Sequence, residues 1–242
     1  MVWLIIIIKR VDDMPSKYRN SFLSFLLVLI AFDSYAGIII GGTRVIYQGD
    51  KKESSISIRN PDNTPYLIQS WLNTNSNQQN NDIPFVITPP LFRLNADATN
   101  ALRIVKTKDL PDNRESVYWL NIKAIPTSSP NAKNELNISV NSRIKLFYRP
   151  ASLNSQDAAV AYKEVSFNLS GNKLSAHNPT PFYISLNELN VNGTKIPNPG
   201  MIAPLSEQQW DMPAKVNSNE LKVSWSAIND FGGESALATQ AR

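Results

Sequence analysis

From Gly37 onward the chain is built of short β-branched and aromatic runs broken by Asn, Pro, Asp and Gly, and no apolar stripe of helical period persists through three turns. Such runs need partner strands, and their two-residue alternation gives each one face to bury, so the chain is predicted to be all-β and layered. Candidate strands at 43–47, 54–60, 66–72, 85–88, 101–106, 117–125 and 136–148 would complete one immunoglobulin-like sandwich. The 242 residues exceed a usual domain of roughly 100–150 residues. Further runs at 162–169, 181–189, 201–205, 210–212 and 221–228 predict a second, smaller sandwich. Residues 151–158 lose the alternation and gain small polar side chains, which predicts a linker between domains at 37–150 and 159–242.

The first 36 residues read as a leader rather than as fold. Lys17 and Arg19 precede an apolar run at 22–32, which ends in Ser34-Tyr35-Ala36 before Gly37, the layout of a secretory signal peptide. A membrane anchor is the competing reading, but the run is well short of the roughly 20 residues a spanning helix needs. Val2 to Ile8 forms a second apolar stretch, followed by Lys9, Arg10, Asp12 and Asp13, and Met14 after it offers a second translation start beside Met1. Cleavage before Gly37 would leave 206 residues, and losing four basic and three acidic side chains lowers the formal charge from +4 to +3. That balance is too weak to predict nucleic-acid binding. The absence of cysteine excludes a disulfide framework, thiol catalysis and cysteine-based zinc sites.

The longest alternation lies at 136–148. Leu136, Ile138, Val140, Ile144, Leu146 and Tyr148 occupy even positions, with Ser142 the polar exception, while Arg143 and Lys145 share the opposite face. Two readings stay open from the pattern. The even row covers the domain's own core, which alternation alone favours, or its first part lies at an edge and offers side chains to another protein's incomplete sheet. The Asn-rich stretch 73–81 cannot pack and is read as a surface loop joining strands.

Ile144-Lys145-Leu146-Phe147-Tyr148-Arg149-Pro150, preceded by Trp119-Leu120-Asn121-Ile122-Lys123-Ala124-Ile125-Pro126, resembles the periplasmic chaperones of the chaperone-usher pilus pathway. The resemblance continues through Gly42-Thr43-Arg44-Val45-Ile46-Tyr47, Pro65 to Trp71, Thr88 to Leu94, Asn178 to Pro181 and Trp225 to Asp230. It implies two immunoglobulin-like domains in an L-shaped arrangement, a cleft between them, and pilin or fimbrial subunits as clients that lack their last strand. By motif position Leu136, Ile138 and Val140 would be the alternating residues of the lent G1 strand, which reverses the preference for the own-core reading. Arg44 and Lys145 would grip the subunit's C-terminal carboxylate, for which a guanidinium fork and a compact ammonium are suitable donors. Arg143, one pleat away, either adds positive potential or is an ordinary exposed residue. Glu115, Arg149 and Asp230 would form an ionic cluster between the domains, and the short connection at 126–134 resembles the short-loop branch of the family. The resemblance further implies delivery to an outer-membrane usher, and it leaves open a self-capping homodimer of the free chaperone. Departures are the residues before Met14, the Asn-rich stretch, and a chain that stops soon after Gly232-Gly233.

An enzyme is not expected. The single His177 precludes most His-dependent triads, and neither a Gly-x-Ser-x-Gly elbow nor a P-loop is present, so no cofactor and no metal are expected. An exported pilus subunit or adhesive sandwich is the alternative, although a subunit would carry one domain with its own donor tail. A glycan-binding module would expose aromatics, whereas Trp71, Trp119 and Trp225 fall inside strand runs where core packing is the default. Sequons at Asn137, Asn168 and Asn192 follow from the Asn-rich composition.

Overall fold

The computed structural model describes residue 15 and residues 37–74, 83–127, 136–212 and 221–241; the expected leader and most of the Asn-rich stretch fall outside them. Among the described residues, nine strands form the first half: β1 Ile39–Ile40, β2 Arg44–Gln48, β3 Ser54–Arg59, β4 Tyr66–Asn73, β5 Phe85–Thr88, β6 Leu91–Leu94, β7 Thr99–Lys106, β8 Ser116–Pro126 and β9 Val140–Arg149. They make two sheets, in the orders β1-β3-β7-β5 and β2-β9-β8-β4-β6. Alternation drives the packing: Ile56, Ile58, Leu102 and Ile104 of the first sheet meet Ile68, Leu120, Ile122 and Leu146 of the second in one core. Each such side chain contributes about 1.5–3 kcal/mol when fully buried.

The chain changes sheets at Gly41-Gly42, so β1 pairs with β3 while β2 joins β9. That second pairing is parallel, and its register runs from Arg44 opposite Lys145 to Gln48 opposite Arg149. Gly49 then lets the two chains touch: its amide donates to the Arg149 carbonyl at 2.6 Å, and a Cβ there would sit 2.8 Å from the Ala151 nitrogen. The short β6, absent from the expected strands, follows Pro89-Pro90, whose carbonyls accept hydrogen bonds from the Ser70 side chain and amide.

The expected strand 136–148 is corrected at its start, because pairing begins only at Val140 opposite Ala124. Continuing that antiparallel register would place Ile138 opposite Pro126, which has no amide to donate. Residues 136–139 are described but lie outside any strand.

The second half opens with a helix rather than with irregular chain. Helix α1, Ser155–Val160, is capped by Asn154, whose side chain accepts from the Asp157 amide at 2.8 Å. A 3-10 turn at Ala161–Glu164 follows and buries Ala161 and Tyr162, so the strand expected from 162 starts at Ser166. The remaining strands are β10 Ser166–Ser170, β11 Lys173–Asn178, β12 Ile184–Val191, β13 Thr194–Lys195, β14 Met201–Ile202, β15 Ser206–Asp211, β16 Lys222–Ala227 and β17 Ala238–Ala241. Sheets β10-β11-β15 and β13-β12-β16-β17, with β14 beside β12, enclose Phe167, Leu174, Leu189, Ile202 and Trp225.

Candidate functional site

Arg44 and Lys145 are brought side by side by the β2–β9 register, both projecting from the sheet face opposite the core. Arg44 donates from Nη1 to the Ile228 carbonyl at 3.0 Å, and Lys145 Nζ lies 3.4 Å from Ser185 Oγ, so both cations reach the second half. Burial, with Arg44 alongside, pulls the Lys145 ammonium below its ordinary pKa. Burial also lowers Arg44, against the pull of Asp230 and Glu115. Arg44 Nε is buried without a hydrogen-bond partner, and no carboxylate among the described residues pairs with either cation. The pair is therefore a partly desolvated set of cations with donors of the kind that suit an anion.

Leu136, Ile138 and Val140 are 83%, 68% and 59% exposed. These values decide against the own-core reading, since the even row turns inward only from Ile144 onward. Sheet order adds a second fact. β2 covers one side of β9 only from Lys145 to Arg149, and among the described residues no strand covers that side at 140–144. The exposed row thus leads into an open edge that ends at the cation pair.

The structure brings Glu115, Arg149 and Asp230 together. Arg149 donates from Nε to Glu115 at 2.8 Å, from both terminal nitrogens to Asp230 at 2.6 and 2.9 Å, and to Ser155 Oγ at 3.1 Å. Glu115 spends its other oxygen on the Tyr183 amide, and its own amide donates to the Pro181 carbonyl. Arg149 and Glu115 are both buried while Asp230 is partly exposed, so this is a desolvated network and not a surface pair. Burial raises the Glu115 carboxyl above its ordinary value, with Arg149 pulling the other way.

Residues 37–154 match the family model for the pili and flagellar-assembly chaperone PapD N-terminal domain, and residues 160–239 match that for the pili assembly chaperone PapD C-terminal domain. This chain belongs to the PapD family of pilus-assembly chaperones. It is 41% identical over 233 residues to the probable fimbrial chaperone LpfB of Escherichia coli O157:H7, covering 94% of this chain and 99% of that protein. It is 38% identical over 215 residues to chaperone protein FimC of Escherichia coli K12, covering 87% and 86% of the two chains. Among solved structures, the Salmonella enterica SafB chaperone in complex with the SafA pilin shares 34% identity with a TM-score of 0.74, covering 88% of this chain and 99% of that one. The E. coli chaperone DraB gives 36% identity and a TM-score of 0.73 over 84% of this chain and 97% of that one. The family expected from the motifs and the two-sandwich all-β fold are both met, and the family is non-enzymatic.

Some features of the chaperone's site were missed in the sequence. Trp119 does not pack in the core: its ring lies under Arg143, with the guanidinium carbon 4.2 Å from the centroid, and Lys145 Nζ is 5.8 Å away. Trp71 is also on the outer side, and only Trp225 is buried as expected. Parity carried the signal, since Trp119 alternates with the buried Leu120 and Ile122. Ser185 falls in none of the motifs, and Ile228, although inside the Trp225 to Asp230 stretch, contributes a backbone carbonyl that residue type does not report. The connection at 126–134 lies largely outside the described residues.

Removing Arg149 would strand a buried carboxyl. Arg149→Ala is expected to cost about 3–5 kcal/mol in urea unfolding, and Asp230→Ala, at the partly exposed partner, less. Equal and small losses from both would show that the network is not the brace between the halves.

Proposed function

We propose that this chain is a periplasmic chaperone that binds, folds and caps pilus subunits by lending the strand led by Leu136, Ile138 and Val140, then delivers them to an outer-membrane usher. The observation that carries this reading is the open edge of β9 ending at Arg44 and Lys145. A client strand lying along 136–144 with its carboxylate at Lys145 must run in the direction of β9. It would therefore be parallel to β9, collinear with β2, and would stop where β2 begins. Main-chain hydrogen bonds would supply affinity and the three apolar side chains specificity. The charged anchor, each bond worth about 1.5–3 kcal/mol, would set register. The solution of SafB with the SafA pilin supports a pilin-type client.

On this reading residues 1–36 are a cleaved leader, 37–150 and 159–242 the two domains and 151–158 their linker, with Glu115, Arg149 and Asp230 holding the angle between them. Among the described residues no helix is long and apolar enough to cross a membrane. The exposed donor row gives the free chaperone an edge that a second copy would cover in a self-capping homodimer.

Co-expressed with its cognate subunit, the chaperone should yield a soluble one-to-one complex. Arg44→Ala and Lys145→Ala should abolish it, and Ile138→Asp should do so while changing stability by less than about 1 kcal/mol. A complex that survives all three changes would overturn the proposal.

A pH profile tests the anchor separately. Lys145 binds a carboxylate only while charged, so affinity should hold at neutral pH and fall as pH rises through a midpoint below the ordinary lysine value of 10.5. Lys145→Arg should remove that fall, whereas a native midpoint at or above 10.5 would contradict the buried anchor.

A further inference from the structure

The segment of β9 at 140–144 has few of the usual means of staying in a sheet. Among the described residues no strand lies along its outer edge, and residues 136–139 before it lie outside any strand. Its inward row is weak as well: Val140 is exposed, Ser142 is polar and Ile144 is only half-buried. A strand end held by main-chain bonds to one neighbour alone opens locally at little cost.

The outward row supplies contacts that the edge and the core do not. Arg143 stacks over Trp119 of β8 with its guanidinium carbon 4.2 Å from the ring centroid, and Lys145 Nζ lies 5.8 Å from the same ring. One pleat earlier, Asn141 donates to Asn121 Oδ1 at 3.3 Å. Asn121 is buried although its parity points out of the sheet, and its Nδ2 donates to Asn73 Oδ1 at 2.8 Å and to the Trp119 carbonyl at 3.3 Å. A backbone carbonyl can only accept, so the Asn121 nitrogen is turned toward it and the Asn121 oxygen is left for Asn141. Both contacts run diagonally in the same sense. Asn141 stands opposite Lys123 and reaches Asn121, while Arg143 stands opposite Asn121 and reaches Trp119.

We propose that Trp119 and Asn121 are positioning residues for strand lending: they clamp Arg143 and Asn141 from the outer face and so hold 140–144 in the sheet while its edge is bare. This rests on the reading that a client adds its strand along that edge. Only a segment held in the sheet presents an edge to pair with, so apparent affinity scales with the fraction of molecules in which it is held. The clamp works on the outer face of β8 and β9, so it obstructs neither the bare edge nor the apolar row at Leu136, Ile138 and Val140.

The test measures amide exchange in the free chaperone, under conditions where rates follow the opening equilibrium, at the amides of 140–144 that face β8. Trp119→Leu, Asn121→Leu and Arg143→Gln, the last at an exposed position, are each expected to speed that exchange about threefold to tenfold. The slowest amides of β3 and β7 should keep their native rates. Trp119→Phe, which keeps a ring face, and Arg143→Lys, which keeps a cation, should each retain most of the native protection. Trp119→Leu combined with Arg143→Gln should exchange no faster than Trp119→Leu alone, because both remove one contact. Native rates at 140–144 in all three single variants would overturn the clamp. So would a Trp119→Leu effect spread equally over β3 and β7 with no effect of Arg143→Gln, which is the pattern of general destabilisation. Because no client is present, these outcomes are separate from strand lending itself: a native chaperone that forms no complex with its subunit would overturn strand lending and the purpose of the clamp, whatever the exchange shows.

Discussion

The parallel pairing of β2 with β9 is the constraint on which the rest depends. Because β2 starts at Arg44 and not earlier, it covers β9 only from Lys145 onward, and the same register sets two cations side by side at the point where cover begins. One choice of register therefore creates an open edge and marks its end. Burial lowers the pKa of both cations, and the neighbouring Arg44 lowers that of Lys145 further. On the proposed reading an incoming carboxylate would relieve the cost of that burial, and part of the affinity would be stored in the free protein.

On the proposed reading, Arg44 and Lys145 could anchor a client only if the second half keeps its contacts to them. Ile228 and Ser185 reach the cations from there, and the Asp230 carboxylate between Ile228 and the Phe231 turn is held by Arg149. Arg149 lies two pleats along β9 from Lys145, so the strand that would bind the client also carries the brace. Such a network is a poor source of net stability compared with apolar packing. Its value here is directional, since the planar guanidinium fixes Glu115, Asp230 and Ser155 in one geometry.

Much of this was legible in the sequence, because period-two patterns report faces directly. The parity of Arg143 and Lys145, the apolar row from Leu136, and most first-half strands follow from it. Ends were less legible, because pairing sets them: β9 starts at Val140, and Pro126 would stand opposite Ile138, two residues before that start. Helix α1 is too short to show a period, and its one signal was the Asn154 cap. Trp119 was misplaced by residue type although its parity was correct. That Arg44 faces Lys145 could come only from family resemblance, because long-range parallel register leaves no local mark.

Amide hydrogen exchange along β9, with and without bound subunit, tests the central claim most directly. In the free chaperone, every second amide at 136–144, on the side away from β8, should exchange rapidly. In the complex those amides should become protected, with the new protection stopping at Lys145 where β2 already covers the strand. Unchanged exchange at 136–144, with protection appearing instead on the sheet containing β3 and β7, would contradict the account.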